Sequence, residues 1–146
     1  MSKDHPQRIM PIAAPGERLK RLTATYVRLR LKADSASNPI YLNLLRQLPC
    51  LKCGLEPCNE AAHLRVTSGA HGKKSALGKR PQDRWALPLC PGCHRNDTDS
   101  QHKVGERLFW YVVGLNPVLV ASALYEARGD IVRMRAIVLL AAAERR

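Results

Sequence analysis

Four cysteines stand in two pairs, Cys50-Leu51-Lys52-Cys53 and Cys90-Pro91-Gly92-Cys93, and the second pair runs directly into His94. A two-residue spacer lets both sulfurs of a pair face one ion, and four thiolates satisfy the tetrahedral preference of a structural zinc ion. Cys58 lies outside both pairs; it is either a free thiol or a substitute for Cys53. His63 falls between the pairs, and His102 follows His94. Imidazoles titrate near neutrality and bind metals readily, so these side chains suit proton transfer or a second, open metal site. The string from Cys90 to His94 also has the spacing of a c-type haem attachment. That chemistry needs an oxidising compartment and leaves the first pair unexplained, so zinc is the preferred reading.

Composition narrows the partners. The chain of 146 residues carries 24 Lys+Arg against 12 Asp+Glu, a formal charge of +12, which favours a polyanion, most often nucleic acid. Residues 1–20 hold Pro6, Pro11, Pro15 and scattered charges rather than a signal peptide. The apolar run 136–143 is far too short to span a bilayer. The expectation is a cytoplasmic protein without a membrane partner, in a reducing compartment where paired cysteines hold metal rather than disulfides. Aromatics make up only 5%, so the core is small and aliphatic and would gain from a metal staple.

The elements that must position these groups follow from local signals. Residues 1–37 read as a basic, partly disordered arm. Within it, Leu19, Leu22, Tyr26 and Leu29 suit a helix face, while residues 27–32 alternate like a strand. Asn38-Pro39 opens a helix whose apolar face is Ile40, Tyr41, Leu44, Leu45 and Leu48, and Pro49 ends it. Strands at 61–66 and 84–89 should pair as an antiparallel hairpin around the loop 67–82. A helical turn should begin at 91–94. Helices are expected at 106–113, 118–128 and 131–144, with stops at Gly114 and Gly129 and a cap at Asp130. Trp110 and Val113 should pack the first of these onto the hairpin. The fold class is α+β: a zinc-stapled domain over 38–128 and a last helix, within 129–146, packing on it.

Three strings together resemble a known family: Leu48-Pro49-Cys50-Leu51-Lys52-Cys53-Gly54, Ala61-Ala62-His63-Leu64-Arg65, and Leu87-Pro88-Leu89-Cys90-Pro91-Gly92-Cys93-His94. They are similar to the HNH endonucleases, and more narrowly to the phage and prophage HNH proteins related to the recombination-enhancement nuclease. The likeness runs over about residues 40–125 and implies a ββα-metal finger in a bacterial or phage-infected cell. It implies His63 as general base, His94 as ligand of a catalytic divalent ion (Mg2+ or Mn2+), and Cys50, Cys53, Cys90 and Cys93 as the zinc clamp. His102 matches a further histidine of the narrower group. In one unbroken helix His94 and His102 would stand ~12 Å apart, so a shared ion needs a bend, for which residues 96–100 are suited. Asp83 matches an aspartate of that group, either orienting His63 or binding metal. Two positions depart from the family: Ala62 stands where many members carry a ligand, and spacing places Trp85 where the family has its central Asn.

The stretch 69–84 carries Lys73, Lys74, Lys79, Arg80 and Arg84 among glycines, and Arg65 follows the first strand. Such groups neutralise phosphates and position DNA while specifying little sequence. His71, in the same loop, reads as an exposed side chain. The expected function is metal-dependent hydrolysis of DNA phosphodiesters. The alternative is a non-catalytic zinc module that binds nucleic acid, a reading that Ala62 favours. Oligomeric state is not readable from the chain.

Overall fold

The computed structural model describes residues 37–74, 78 and 80–145. The arm expected at 1–37, except Ser37, and the candidate contact Lys79 lie outside the described residues. The described chain is mixed α and β, with five α-helices and one two-stranded sheet.

Helix α1 (Pro39–Arg46) starts as its Asn-Pro signal dictates: the Asn38 side chain accepts a hydrogen bond from the Tyr41 amide at 3.1 Å. Tyr41, Leu45 and Leu48 turn into the core. Ile40, expected on that face, is 76% exposed, and Leu42 is buried instead.

Strands β1 (Glu60–His63) and β2 (Ala86–Leu89) pair antiparallel, with Glu60 opposite Leu89 and His63 opposite Ala86. Both are shorter than the sequence suggests, for visible reasons. After His63, the amides of Arg65 and Val66 bond the Glu106 carboxylate rather than a strand. Residues Asp83–Trp85 form a 3-10 turn, closed by the Trp85 amide on the Gln82 carbonyl at 3.0 Å.

After Cys90 the chain makes a wide π-helical turn, Gly92–Asn96. Glycine at its start leaves room for the Asp97 carboxylate, since a Cβ on Gly92 would sit 2.8 Å from it and displace that side chain. Helix α2 (Gln101–Val104) follows after a break, and Gly105, at φ 88°, separates it from α3 (Glu106–Val113). Helix α4 (Pro117–Glu126) is capped by Asn116, and α5 (Ile131–Ala143) by Asp130. None of these helices is long and apolar enough to cross a membrane.

The core is one cluster that joins Leu45 and Leu48 of the first helix and its exit to Leu87 and Leu89 of β2, Trp110 of α3, Leu124 of α4, and Met134 and Val138 of α5. Tyr41 meets Tyr125 edge to face at 5.2 Å. Helix α5 also reaches the first cysteine pair: Arg135 pairs with Glu56, and beyond the helix Arg145 donates to the carbonyls of Leu51 and Lys52.

Candidate metal centre and adjoining cleft

The two cysteine pairs converge. The sulfurs of Cys50, Cys53, Cys90 and Cys93 all lie within 4.8 Å of one another, and Cys53 and Cys90 are 3.6 Å apart. A tetrahedral ion with Zn–S bonds of ~2.3 Å needs sulfurs about 3.8 Å apart, so the donor set fits zinc. The thiols suit this on chemical grounds too. Burial, then the charge of Cys50, push the Cys93 thiol strongly up, and burial with its thiol neighbours pushes up Cys53. Burial also opposes the charge on Cys50, but the backbone groups of Cys53, Cys90 and Lys52 outweigh it and leave that thiol below its usual value. All four could be thiolates this close together only with a cation among them. Cys58 takes no part. It is fully buried, its sulfur donates to the carbonyls of Leu45 and Glu60, and burial raises its thiol to about 12.

Beside this cluster is a cleft of about 530 Å3, lined by Ala61, His63, Arg65, Gly78, Arg80, Pro81, His94 and His102. Three separate elements supply its histidines: the end of β1, the π-helical turn, and α2. The break at residues 97–100 brings the His94 and His102 rings to 4.5 Å between centroids, far closer than a continuous helix allows.

His63 and His94 are each held from behind by a carboxylate. His63 Nε2 meets Asp83 Oδ1 at 2.7 Å, and His94 Nδ1 meets Glu60 Oε2 at 2.7 Å. An ionised carboxylate only accepts, so the contacted ring nitrogen carries the proton. In a neutral ring the opposite nitrogen, Nδ1 of His63 and Nε2 of His94, has the lone pair. Asp83 is almost wholly buried; its other oxygen accepts the Asn38 amide at 2.7 Å, and the Arg80 guanidinium lies at 3.2 Å. Burial opposes its charge, but the Asn38 amide, His63 and Arg80 outweigh that and hold its carboxyl below the usual value. Glu60 is likewise depressed, with burial overcome by His94 and Arg95. His102 is lowered, by burial first and then by His94, Arg95 and Arg65.

Asp83 makes an acid-stability prediction. Its carboxyl returns to about 3.9 in the unfolded chain, so its contribution is present above that value and is lost as pH falls through the lower folded value. The Asp83→Asn variant should therefore lose stability less steeply than wild type below about pH 4 in urea titrations followed by circular dichroism. Parallel curves would show that this carboxylate carries none of the acid sensitivity.

Several expected phosphate contacts are placed otherwise. Lys73 is only 3% exposed: it closes the loop through paired backbone hydrogen bonds with Ser68, and burial lowers its amine. Arg84 is drawn inward, its guanidinium 4.8 Å from the Trp85 ring and 5.2 Å from Tyr125, a stacking that a planar cation favours. Trp85 is buried in the core. Lys74 is exposed but does not line the cleft, whereas Arg65 and Arg80 do. His71 bonds Ser68 at 2.8 Å and is half-buried.

Ala62 is fully buried, on the strand face opposite the cleft residues Ala61 and His63. Among the described residues, only the four cysteines form a group of three or more His, Cys, Asp or Glu able to close on one ion. Glu60 is the functional candidate that sequence reasoning missed. Its signal was faint: an acid at the head of the strand that ends in His63, with nothing in the spacing to tie it to His94.

The chain matches no family model, no curated protein and no solved structure.

Proposed function

We propose that this protein is a metal-dependent endonuclease of the HNH type, hydrolysing phosphodiester bonds in DNA. The reading rests on one arrangement: two carboxylate-backed histidines from different elements face one cleft, with His102 beside the second and Arg65 and Arg80 at its wall. The antiparallel hairpin, the helical turn after Cys90 and the four-cysteine cluster at its base are what a ββα-metal finger would require.

In this reading His63 Nδ1 takes the proton from a water molecule as its oxygen attacks phosphorus; the bond to the 3′ oxygen breaks, and that oxygen leaves with the bonding pair and takes a proton from solvent. Asp83 keeps His63 in the competent tautomer and stabilises the imidazolium that forms. Arg65 and Arg80 neutralise and place the phosphate. His94 and His102 would hold the divalent ion, which supplies Lewis-acid stabilisation of the phosphate's developing charge. Two imidazoles suit Mn2+ or another transition ion better than Mg2+, which prefers oxygen ligands, so water and phosphate oxygens must complete the shell.

The test is conversion of supercoiled plasmid by the purified protein with Mn2+ or Mg2+, alongside His63→Ala and His94→Ala. Wild type should nick or cut, faster with Mn2+, and both variants should fail while keeping one zinc per chain. Equal activity in both variants would remove the assignment.

A second reading is favoured by Ala62 and by the lack of a third protein ligand beside His94 and His102 among the described residues: a zinc module that binds nucleic acid without cutting it. It requires salt-sensitive DNA binding with no cleavage under any divalent ion.

A further inference from the structure

We propose that Glu60 is a positioning residue that fixes His94 in the tautomer whose Nε2 is free to bind a divalent ion. The inference rests on the cleft being an ion site. Glu60 Oε2 lies 2.7 Å from His94 Nδ1, and Arg95 pairs with the other carboxylate oxygen. Both the histidine and the glutamate side chains are mostly buried, at 15% and 19% exposure, so water competes poorly for this bond. With both oxygens engaged the carboxylate has one orientation, and it can only accept from Nδ1–H.

The constraint has a purpose. A free histidine favours the proton on Nε2, the nitrogen that the cleft needs bare. Holding the proton on Nδ1 removes that competition and raises the basicity of the ligand nitrogen, as a carboxylate behind a metal-binding histidine does in general. The hairpin register delivers the contact. Glu60 pairs with Leu89, one residue before Cys90, and the His94 amide bonds the Cys90 carbonyl at 2.9 Å. The cysteine cluster thus sets where the turn carrying His94 meets the strand carrying Glu60.

The experiment uses the full-length, zinc-loaded protein with Mn2+ as the probe. Mn2+ affinity is measured by electron paramagnetic resonance for wild type, Glu60→Ala, Glu60→Gln and a His94→Ala reference. The His94 tautomer is read without Mn2+ from imidazole 15N shifts. Zinc content and melting temperature confirm that each variant is folded. Glu60→Ala should shift His94 toward the Nε2–H tautomer and weaken Mn2+ binding roughly 10- to 100-fold. Glu60→Gln, whose amide oxygen still accepts from Nδ1–H, should keep the tautomer and lose less. An unchanged tautomer in Glu60→Ala, or a shifted tautomer with unchanged Mn2+ affinity, overturns the proposal. If wild type and His94→Ala bind Mn2+ alike, the ion-site reading falls, while a tautomer shift in Glu60→Ala would still establish the positioning contact.

Discussion

Removing zinc with a strong chelator under reducing conditions is expected to unfold this protein. The two cysteine pairs join two segments of the core: the loop after α1, which holds to β2 through the Leu51 amide on the Pro88 carbonyl, and the turn after β2, which begins at Cys90. A structural zinc ion contributes an apparent ~10–16 kcal/mol of folding free energy in small fingers, comparable to or above the ~5–15 kcal/mol net stability of an ordinary domain. The same core that carries Leu87 and Leu89 also carries Leu45, Leu124 and Met134, so loss of the clamp should propagate into the helices rather than stay local. Metal analysis should find one zinc per chain, and chelation should abolish the cooperative melt seen by circular dichroism. Cys50→Ser and Cys90→Ser should behave like the chelated protein, whereas Cys58→Ser, outside the cluster, should retain zinc. A chelated chain that melts as before would show the sulfurs to be an ordinary buried group.

Replacing His63 with alanine is expected to lower plasmid cleavage by about 10²- to 10⁴-fold, the usual contribution of a positioned general base. The side chain ends β1 and lines the cleft, remote in its bonding from the cysteine sulfurs, so zinc content should hardly change, while melting should fall because the buried Asp83 carboxylate loses one partner. In the proposed mechanism Asp83 acts through His63, and its removal should cost activity by letting the ring turn and take the other tautomer. An additional readout separates the two residues: Asp83→Asn should change the His63 15N tautomer signals, and His63→Ala should leave the Asn38–Asp83 contact in place. If His63→Ala cleaves at the wild-type rate, the base must be sought elsewhere in the cleft.

Local signals carried much of the fold because their physics is local. Asn38-Pro39 and Asn116-Pro117 start helices since an Asn side chain satisfies the first free amides and proline is preset for the first turn. Asp130 caps α5 in the same way, and Gly114 ends α3 in a left-handed conformation. Strand ends were less accessible, because they depend on partners distant in sequence. Glu106, 41 residues beyond Arg65, takes the amides that would have extended β1.

The cysteine spacing by itself picked out the four-cysteine cluster that could hold a metal, since a two-residue spacer lets both sulfurs of a pair face one point, and it set Cys58 apart. Composition alone pointed to a polyanionic partner, and the turn-prone run at 96–100 allowed for a bend. Only the tertiary structure decided how closely His94 and His102 meet, that Asp83 bonds His63, and that Glu60 stands behind His94. It also withdrew Lys73 and Arg84 from the expected basic surface. The physical reason is the same in each case. A side chain's charge is written in its residue type, but its direction and its partner come from packing between elements tens of residues apart, such as the 34 that separate Glu60 from His94.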